Sequence, residues 1–234
     1  MKHINLNRPP VHQNYYDNLA SLVAQSAKDI FREFDRIKPK PRIIDIGCGR
    51  GEIMKSLAEN GFRAIGVDLR IECASISKEF GKVIVADLMT LDSIFPENSF
   101  DLAICSHVLE HIENSKQAVE IIKKISAKWL MIIVPNLTRL PNFFLRRPRY
   151  INEGHLHGWD SHHLKTLLEL NCHLKIVRWV QDGIYLTPLH QGIWIHSKIL
   201  DFIEYKFLPL LAPQMANSLI AVCEKHKKSL HGPK

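Results

Sequence analysis

Three glycines at alternate positions follow a carboxylate in Asp45-x-Gly47-x-Gly49-x-Gly51, within the stretch Arg42 to Ile53. An apolar run (Ile43, Ile44, Ile46) enters them and a helical pattern (Ile53, Met54, Leu57, Ala58) leaves them. A strand, a glycine turn and a helix start bring backbone close to a ligand. A dinucleotide fingerprint needs its third glycine where Glu52 stands, and no Lys-Ser/Thr pair follows to hold a triphosphate. Asp45 would repel a phosphate and suits a ligand carrying an α-ammonium group. Asp68 lies 17 residues beyond Gly51 at the end of the next apolar run, placed to accept hydrogen bonds from both hydroxyls of a ribose. Asp87-Leu88 ends the run after that, where the pair could receive an adenine amino group and pack on its ring. Three successive strand ends so equipped are a joint signal, because ligands of open α/β sheets bind outside the carboxyl ends of the strands.

A second group is rich in histidine. Ser106-His107-Val108-Leu109-Glu110-His111 follows the fourth apolar run, and Gly154-His155-Leu156-His157 comes later. Histidine is the side chain best poised to move a proton near neutral pH, so His107, His111, His155 and His157 are all candidates. For each alone, a histidine hydrogen-bonded within the fold is the plain alternative, and the residue types select no single base. A helix starting at His107 would put His107, Glu110 and His111 on one face, with His155 closing from the later loop. Imidazoles with one carboxylate would favour Zn²⁺, Mn²⁺ or Co²⁺ over Mg²⁺. Packing and hydrogen bonding by Glu110 and His111 is the other reading.

The elements that position these groups follow from periodicity. Residues 15–37 carry Tyr15, Leu19, Leu22, Val23, Ile30, Phe31 and Phe34 at helical spacing, ended by Pro39-Lys40-Pro41. This predicts a leading helix, with Tyr15 and Tyr16 candidates to face the ligand site. Strands are expected at 43–46, 64–69, 82–88, 100–106, 129–134, 173–180 and 218–223. Helices are expected from 52, over 71–80, over 115–125 and from Ser161 to Leu170. Strands alternating with helices imply βαβ units and a parallel sheet. Residues 136–160 form a long basic loop with Arg139, Arg146, Arg147 and Arg149 around Phe143 and Phe144, and 189–208 is amphipathic. Both are candidates to cover an acceptor, the Arg146-Arg147-x-Arg149 run meeting an anionic group on it.

At 234 residues the chain suits one domain with a sizeable core. The expected division is a helical lid region over 1–40, a main domain over 41–225 with insertions near 136–160 and 184–213, and a basic tail over 226–234. A net charge of +7 is met by a solvated surface, with an anionic partner or membrane surface as the other reading. The five cysteines stand far apart without C-x-x-C spacing, which argues against a zinc cluster or disulfide framework and fits a reducing cytoplasm. No signal-peptide layout opens the sequence, and no apolar run approaches the roughly 20 residues that span a bilayer.

From about Pro41 to Pro135 the motifs resemble those of the class I S-adenosylmethionine-dependent methyltransferases. Asp45-x-Gly47-x-Gly49-x-Gly51 is similar to their first motif, and His107-Val108-Leu109-Glu110-His111 to the H-x-L-E-H segment that lies beneath the transferred methyl. The likeness returns over Gly154 to Leu170 and departs at Asn171-Cys172, where glycine and an aromatic are usual. It implies a single Rossmann-like α/β domain, with a seven-stranded, mostly parallel sheet and helices on both faces. It also implies S-adenosylmethionine as cofactor, held by Asp45, Gly47, Cys48, Gly49, Gly51, Asp68, Leu69, Asp87, Leu88 and Ser106. The catalytic candidates are His107, His111 and His155; the candidate metal set is His107, Glu110, His111 and His155. Relatives with such a metal carry Glu-x-x-Glu-His, and His107 stands where that pattern has its first Glu. The expected acceptor is an oxygen of a small molecule, glycan or lipid-linked metabolite. RNA, with or without metal assistance, is the alternative, as is a binding protein that has lost its chemistry.

Overall fold

A computed structural model describes residues 10–32, 40–138, 154–184 and 202–226. The leading helix α1 spans Pro10–Phe31. It is followed by β1 (Ile43–Ile46), α2 (Glu52–Glu59), β2 (Ala64–Asp68), α3 (Ile71–Ser77) and β3 (Val83–Val85). A 3-10 turn over Leu88–Thr90 leads into the short α4 (Leu91–Ile94), then β4 (Phe100–Ser106), a 3-10 turn over Leu109–His111, α5 (Ser115–Ile125) and β5 (Ser126–Pro135). Beyond the loop come α6 (Ser161–Lys165), which continues in wider π-type turns over Thr166–Asn171, and β6 (Leu174–Gln181). A π-type stretch Ile203–Phe207 runs into α7 (Leu208–Leu211), and β7 (Ser218–Lys225) closes the fold.

The seven strands form one sheet in the order β3-β2-β1-β4-β5-β7-β6. All pairs from β3 to β5 are parallel, and β7 runs antiparallel to both neighbours. The order in which successive strands are added therefore reverses between β1 and β4, and that crevice is where an open α/β sheet takes its ligand.

Alternation along the central strands builds two cores. Ile44, Ile46, Ala103, Cys105, Leu130, Ile132 and Val134 face one side, covered by Val119, Ile122 and Ile125 of α5 and Leu164 of α6. Ile43, Leu102, Ile104, Met131 and Ile133 face the other, covered by Leu19, Val23 and Phe31 of α1 and Met54 and Leu57 of α2. Successive strand side chains point to opposite faces, so a strand covered on both sides reads as an unbroken apolar run. The mostly parallel seven-stranded sheet with helices on both faces is the expected architecture. Because α1 shares a core with α2, it belongs to the packed body of the fold.

Several boundaries differ from expectation. β3 is only three residues long, and Asp87 lies past its end, accepting the Met89 N–H at 2.9 Å to cap the 3-10 turn. β7 runs to Lys225, two residues beyond the expected strand end at 223, and Lys225 donates to the Ser126 carbonyl at 2.9 Å. The run Arg146, Arg147 and Arg149, most of the 189–208 segment and the tail beyond 226 lie outside the described residues. No described helix is long and apolar enough to cross a membrane.

Candidate active site

The glycine turn sits at the end of β1. The N–H groups of Gly47 and Cys48 both donate to the Val67 carbonyl, at 2.7 and 2.9 Å, so the turn folds back onto β2. Gly47, Gly49 and Gly51 all take left-handed φ, a region that side chains disfavour. Space adds a second constraint at Gly47, where a Cβ would fall 2.2 Å from Cγ2 of Val108.

Asp68 ends β2 with its carboxylate buried and fixed. Oδ2 accepts the Gly49 N–H at 2.9 Å; Oδ1 accepts the Arg70 N–H at 2.9 Å and Arg70 Nε at 3.3 Å. Each carboxylate oxygen has two acceptor sites, so Oδ2 keeps one for a ligand hydroxyl. Beside it, Leu69 and Ile71 are exposed, as is Val85, which pairs with Asp68 in the sheet register. Leu69 and Val85 thus set exposed apolar surface next to Asp68, one in the chain and the other in the sheet, while Leu88 is buried.

Asp45 lies in the middle of the sheet, between Gly66 of β2 and Ile104 of β4. It is 0% exposed, and among the described residues neither carboxylate oxygen has a hydrogen-bond partner. Burial pushes its carboxyl up to about 7, and the charges of Glu52 and Asp68 push the same way. A buried carboxylate without a partner is costly, and a ligand ammonium is the kind of group that offsets the cost.

Cys48 turns its side chain inward, with Sγ 3.5 Å from Ser77 Oγ, and burial pushes the thiol up to about 12. Its thiol is therefore turned away from the crevice, and only its backbone is placed to meet a ligand. Ser106, the last residue of β4, places Oγ 3.1 Å from Nδ1 of His107.

His107 corrects one expectation. No helix begins there: the residue is left-handed, with φ of 54°, its N–H donates to the Ile133 carbonyl at 2.9 Å, and the 3-10 turn starts only at Leu109. The i, i+3, i+4 arrangement therefore fails, and His107 parts from Glu110 and His111. Its Nε2 lies 3.1 Å from the hydroxyl of Tyr15, and its ring meets Tyr16 edge-on at 6.3 Å. Both tyrosines of the leading helix thus reach the site.

Glu110, His111 and His155 remain together, with ligand-capable atoms all within 4.8 Å of one another. The loop after Gly154 is strapped to this turn, since the N–H groups of Leu156 and His157 donate to the Glu110 carbonyl at 2.7 and 3.2 Å. His111 Nδ1 donates to the Gly154 carbonyl at 2.9 Å, which leaves Nε2 as its lone-pair atom. Glu110 is buried with no hydrogen-bond partner for Oε2 among the described residues, and burial pushes its carboxyl up to about 7. His157 turns away to the Glu113 carbonyl at 3.1 Å.

Two residues that the sequence reading passed over stand behind His107. Ser218 opens β7 and its Oγ hydrogen-bonds the Tyr15 hydroxyl. Asp182, just past β6, accepts the Ser218 N–H at 3.0 Å. A polar Gln181-Asp182-Gly183 after an alternating strand signals a turn, but no local pattern links it through Ser218 and Tyr15 to His107.

The sequence profile of the family described as "Methyltransferase domain" matches residues 17–171. The chain belongs to that family. Its curated relatives include a ubiquinone biosynthesis O-methyltransferase of Rickettsia conorii, 33% identical over 109 residues, covering 43% of this chain and 38% of that protein. The protein of the same name from Glaesserella parasuis is 23% identical over 180 residues, covering 68% of this chain and 74% of that one. The chain thus spans less than half of the first relative and about three quarters of the second. Among solved structures, magnesium protoporphyrin IX methyltransferase of Synechocystis, with bound S-adenosylhomocysteine, superposes with a TM-score of 0.60. It is 16% identical, over 96% of this chain and 91% of that one. A SAM-dependent methyltransferase of Archaeoglobus fulgidus gives 0.59 at 22% identity, covering 86% and 94%. At these identities the structures speak for the fold alone.

Proposed function

We propose that this methyltransferase-family chain binds S-adenosylmethionine and transfers its methyl group to a hydroxyl oxygen of a small molecule. The observation that carries the reading is Asp45. A fully buried carboxylate, unpartnered among the described residues, beside a glycine turn at the point where the strand order reverses, matches an amino-acid ammonium and no phosphate. Asp68 and the exposed Leu69 and Val85 fit a ribose and an adenine face. The relatives named as O-methyltransferases support oxygen as the acceptor atom.

Bound S-adenosylmethionine supplies a methyl on a good leaving group. The chain's own task is to hold the acceptor oxygen in line and to take its proton. Calorimetry with S-adenosylmethionine and S-adenosylhomocysteine tests the first half. Labelled cofactor incubated with small-molecule, lipid, glycan, nucleic-acid and protein fractions tests the second. Binding of NADH with none of either sulfur ligand would overturn the reading. Label entering RNA alone would move the acceptor there, and binding without transfer would make the chain a binding protein.

A divalent metal is a second reading, favoured by the buried, unpartnered Oε2 of Glu110 beside two imidazoles. Glu110, His111 and His155 would hold it and His107 would not. The metal would draw an acceptor hydroxyl toward ionisation. Metal analysis of the purified protein, with activity before and after chelation, decides it.

A further inference from the structure

His107 stands at the head of a line of hydrogen-bonding groups that runs away from the cofactor crevice. Ser106 Oγ meets Nδ1 at 3.1 Å, and the Tyr15 hydroxyl meets Nε2 at 3.1 Å. The same tyrosine hydroxyl bonds Ser218 Oγ, and Ser218 stands over the carboxylate of Asp182, to which its N–H donates at 3.0 Å. Four elements supply these groups: α1, the end of β4, the end of β6 and the start of β7. Asp182 and Ser218 are each 1% exposed, and Asp182 Oδ2 has no hydrogen-bond partner among the described residues. Burial pushes the Asp182 carboxyl up to about 7, opposed by the N–H and the hydroxyl of Ser218 and by the Asn217 N–H.

We propose that Tyr15, Ser218 and Asp182 form a proton-transfer chain behind His107, making His107 the general base and the other three its positioning residues. This rests on the methyl-transfer reading and favours His107 over His111 and His155, because its ring is tied through hydroxyls toward a buried carboxylate while His111 orders its Nδ1 on a backbone carbonyl.

The direction of the chain follows from counting protons. A serine or tyrosine hydroxyl has one proton to donate, so an ionised Asp182 orders every member. In the proposed ordering the Ser218 hydroxyl turns toward Asp182, whose Oδ1 already holds the Ser218 N–H, Tyr15 donates to Ser218, and the Tyr15 oxygen accepts from Nε2–H of His107. Nδ1, facing Ser106, is then the basic atom. As the acceptor's O–H bond breaks and its O–CH₃ bond forms, the S–CH₃ bond of the cofactor breaks, the acceptor's proton goes to Ser106 Oγ, and the proton of Ser106 goes to Nδ1. The Nε2 proton passes to Tyr15, that of Tyr15 to Ser218, and that of Ser218 to Asp182. His107 ends neutral with its proton on Nδ1, and Asp182 ends as the acid. The positive sulfonium and the negative carboxylate disappear together, so no net charge is left in the crevice. A protonated Asp182 orders the chain in reverse, which ties the tautomer of His107 to a carboxyl group that it does not touch.

That linkage is measurable without turnover. Long-range ¹H–¹⁵N spectra of the full chain at pH 9, saturated with S-adenosylhomocysteine, report which ring nitrogen is protonated, with His107 assigned through His107→Gln. Wild type is expected to show Nε2–H. Asp182→Asn keeps an oxygen for the Ser218 N–H and turns an amide N–H toward the Ser218 hydroxyl, so His107 should switch to Nδ1–H. Adding Tyr15→Phe to Asp182→Asn should abolish the switch. If Asp182→Asn does not fold, Ser218→Ala takes its place and should draw the two ring ¹⁵N shifts toward each other. An unchanged His107 tautomer in folded Asp182→Asn, or in Ser218→Ala, overturns the chain. A tautomer switch in protein that shows no affinity for S-adenosylhomocysteine would leave the chain standing and overturn the methyl-transfer reading instead.

Discussion

The hydroxyl of Tyr15 lies 3.1 Å from Nε2 of His107, although 92 residues separate them. One comes from the leading helix and the other from the turn after β4, so the helix that covers one core also completes the site. Tyr15→Phe should lower kcat for O-methylation by about 10²-fold or more, the usual range for an impaired acid–base step. Cofactor affinity should stay within a factor of two or so of wild type. A rise in KM with kcat intact would mean that Tyr15 binds the acceptor and does not serve the proton.

Asp68 ties the Gly49 N–H at 2.9 Å and keeps an acceptor site toward the crevice. Replacing it with Ala should weaken S-adenosylmethionine and S-adenosylhomocysteine alike by about 1.5–3 kcal/mol, the range for a charged hydrogen bond. Calorimetry on folded protein checks this, and unchanged affinity would remove Asp68 from the ribose site.

Asp45 carries a pH signature. Burial pushes its carboxyl up to about 7 in the folded chain, against 3.8 ordinarily. Between those values the folded state keeps a proton that the unfolded state gives up. The group therefore costs nothing below the lower value, and it drains stability as pH rises toward 7. Asp45→Asn should match wild type in stability near pH 4 and exceed it at pH 8 by at most on the order of 4 kcal/mol, read as a higher Tm. The same variant should bind S-adenosylmethionine more weakly. Thermal melts across that range, without ligand, give the first comparison; equal Tm at both ends would contradict it.

Gly47→Ala faces a left-handed backbone and the Val108 methyl together. A loss of about 1–3 kcal/mol is expected from the backbone strain alone. Pairing it with Val108→Ala should recover only the steric part, which denaturant melts of the single and double variants can separate.

Glu110→Gln separates the two readings of the buried cluster. If Glu110, His111 and His155 hold a metal, the variant should lose it, and activity should fall with it. If they only brace the loop after Gly154, activity should survive both the substitution and exhaustive chelation. Metal analysis and rate measurements on the same samples distinguish these outcomes.

Much of this was readable in the residues themselves. Unbroken apolar runs such as Ile43-Ile44 and Ala103-Ile104-Cys105, bounded by turn residues, read as strands covered on both faces. The carboxylates at the ends of successive strands had to gather at one edge of a parallel sheet. Glycines at 47, 49 and 51 declared a turn that side chains would obstruct. These are local properties, fixed by side-chain period and by backbone sterics over a few residues.

The tertiary structure decided the rest. Nothing local could show that His107 would be left-handed rather than the first residue of a helix, because the cause is its N–H bonding to Ile133 on the neighbouring strand. That bond separates His107 from Glu110 and His111 and hands it to Tyr15. Likewise Asp182 and Ser218 become the far end of the site only because β7 inserts antiparallel between β5 and β6, bringing the start of one strand beside the end of another. Sequence determines what each residue can do. Which residues do it together depends on strand order, and that is set by packing across the whole sheet.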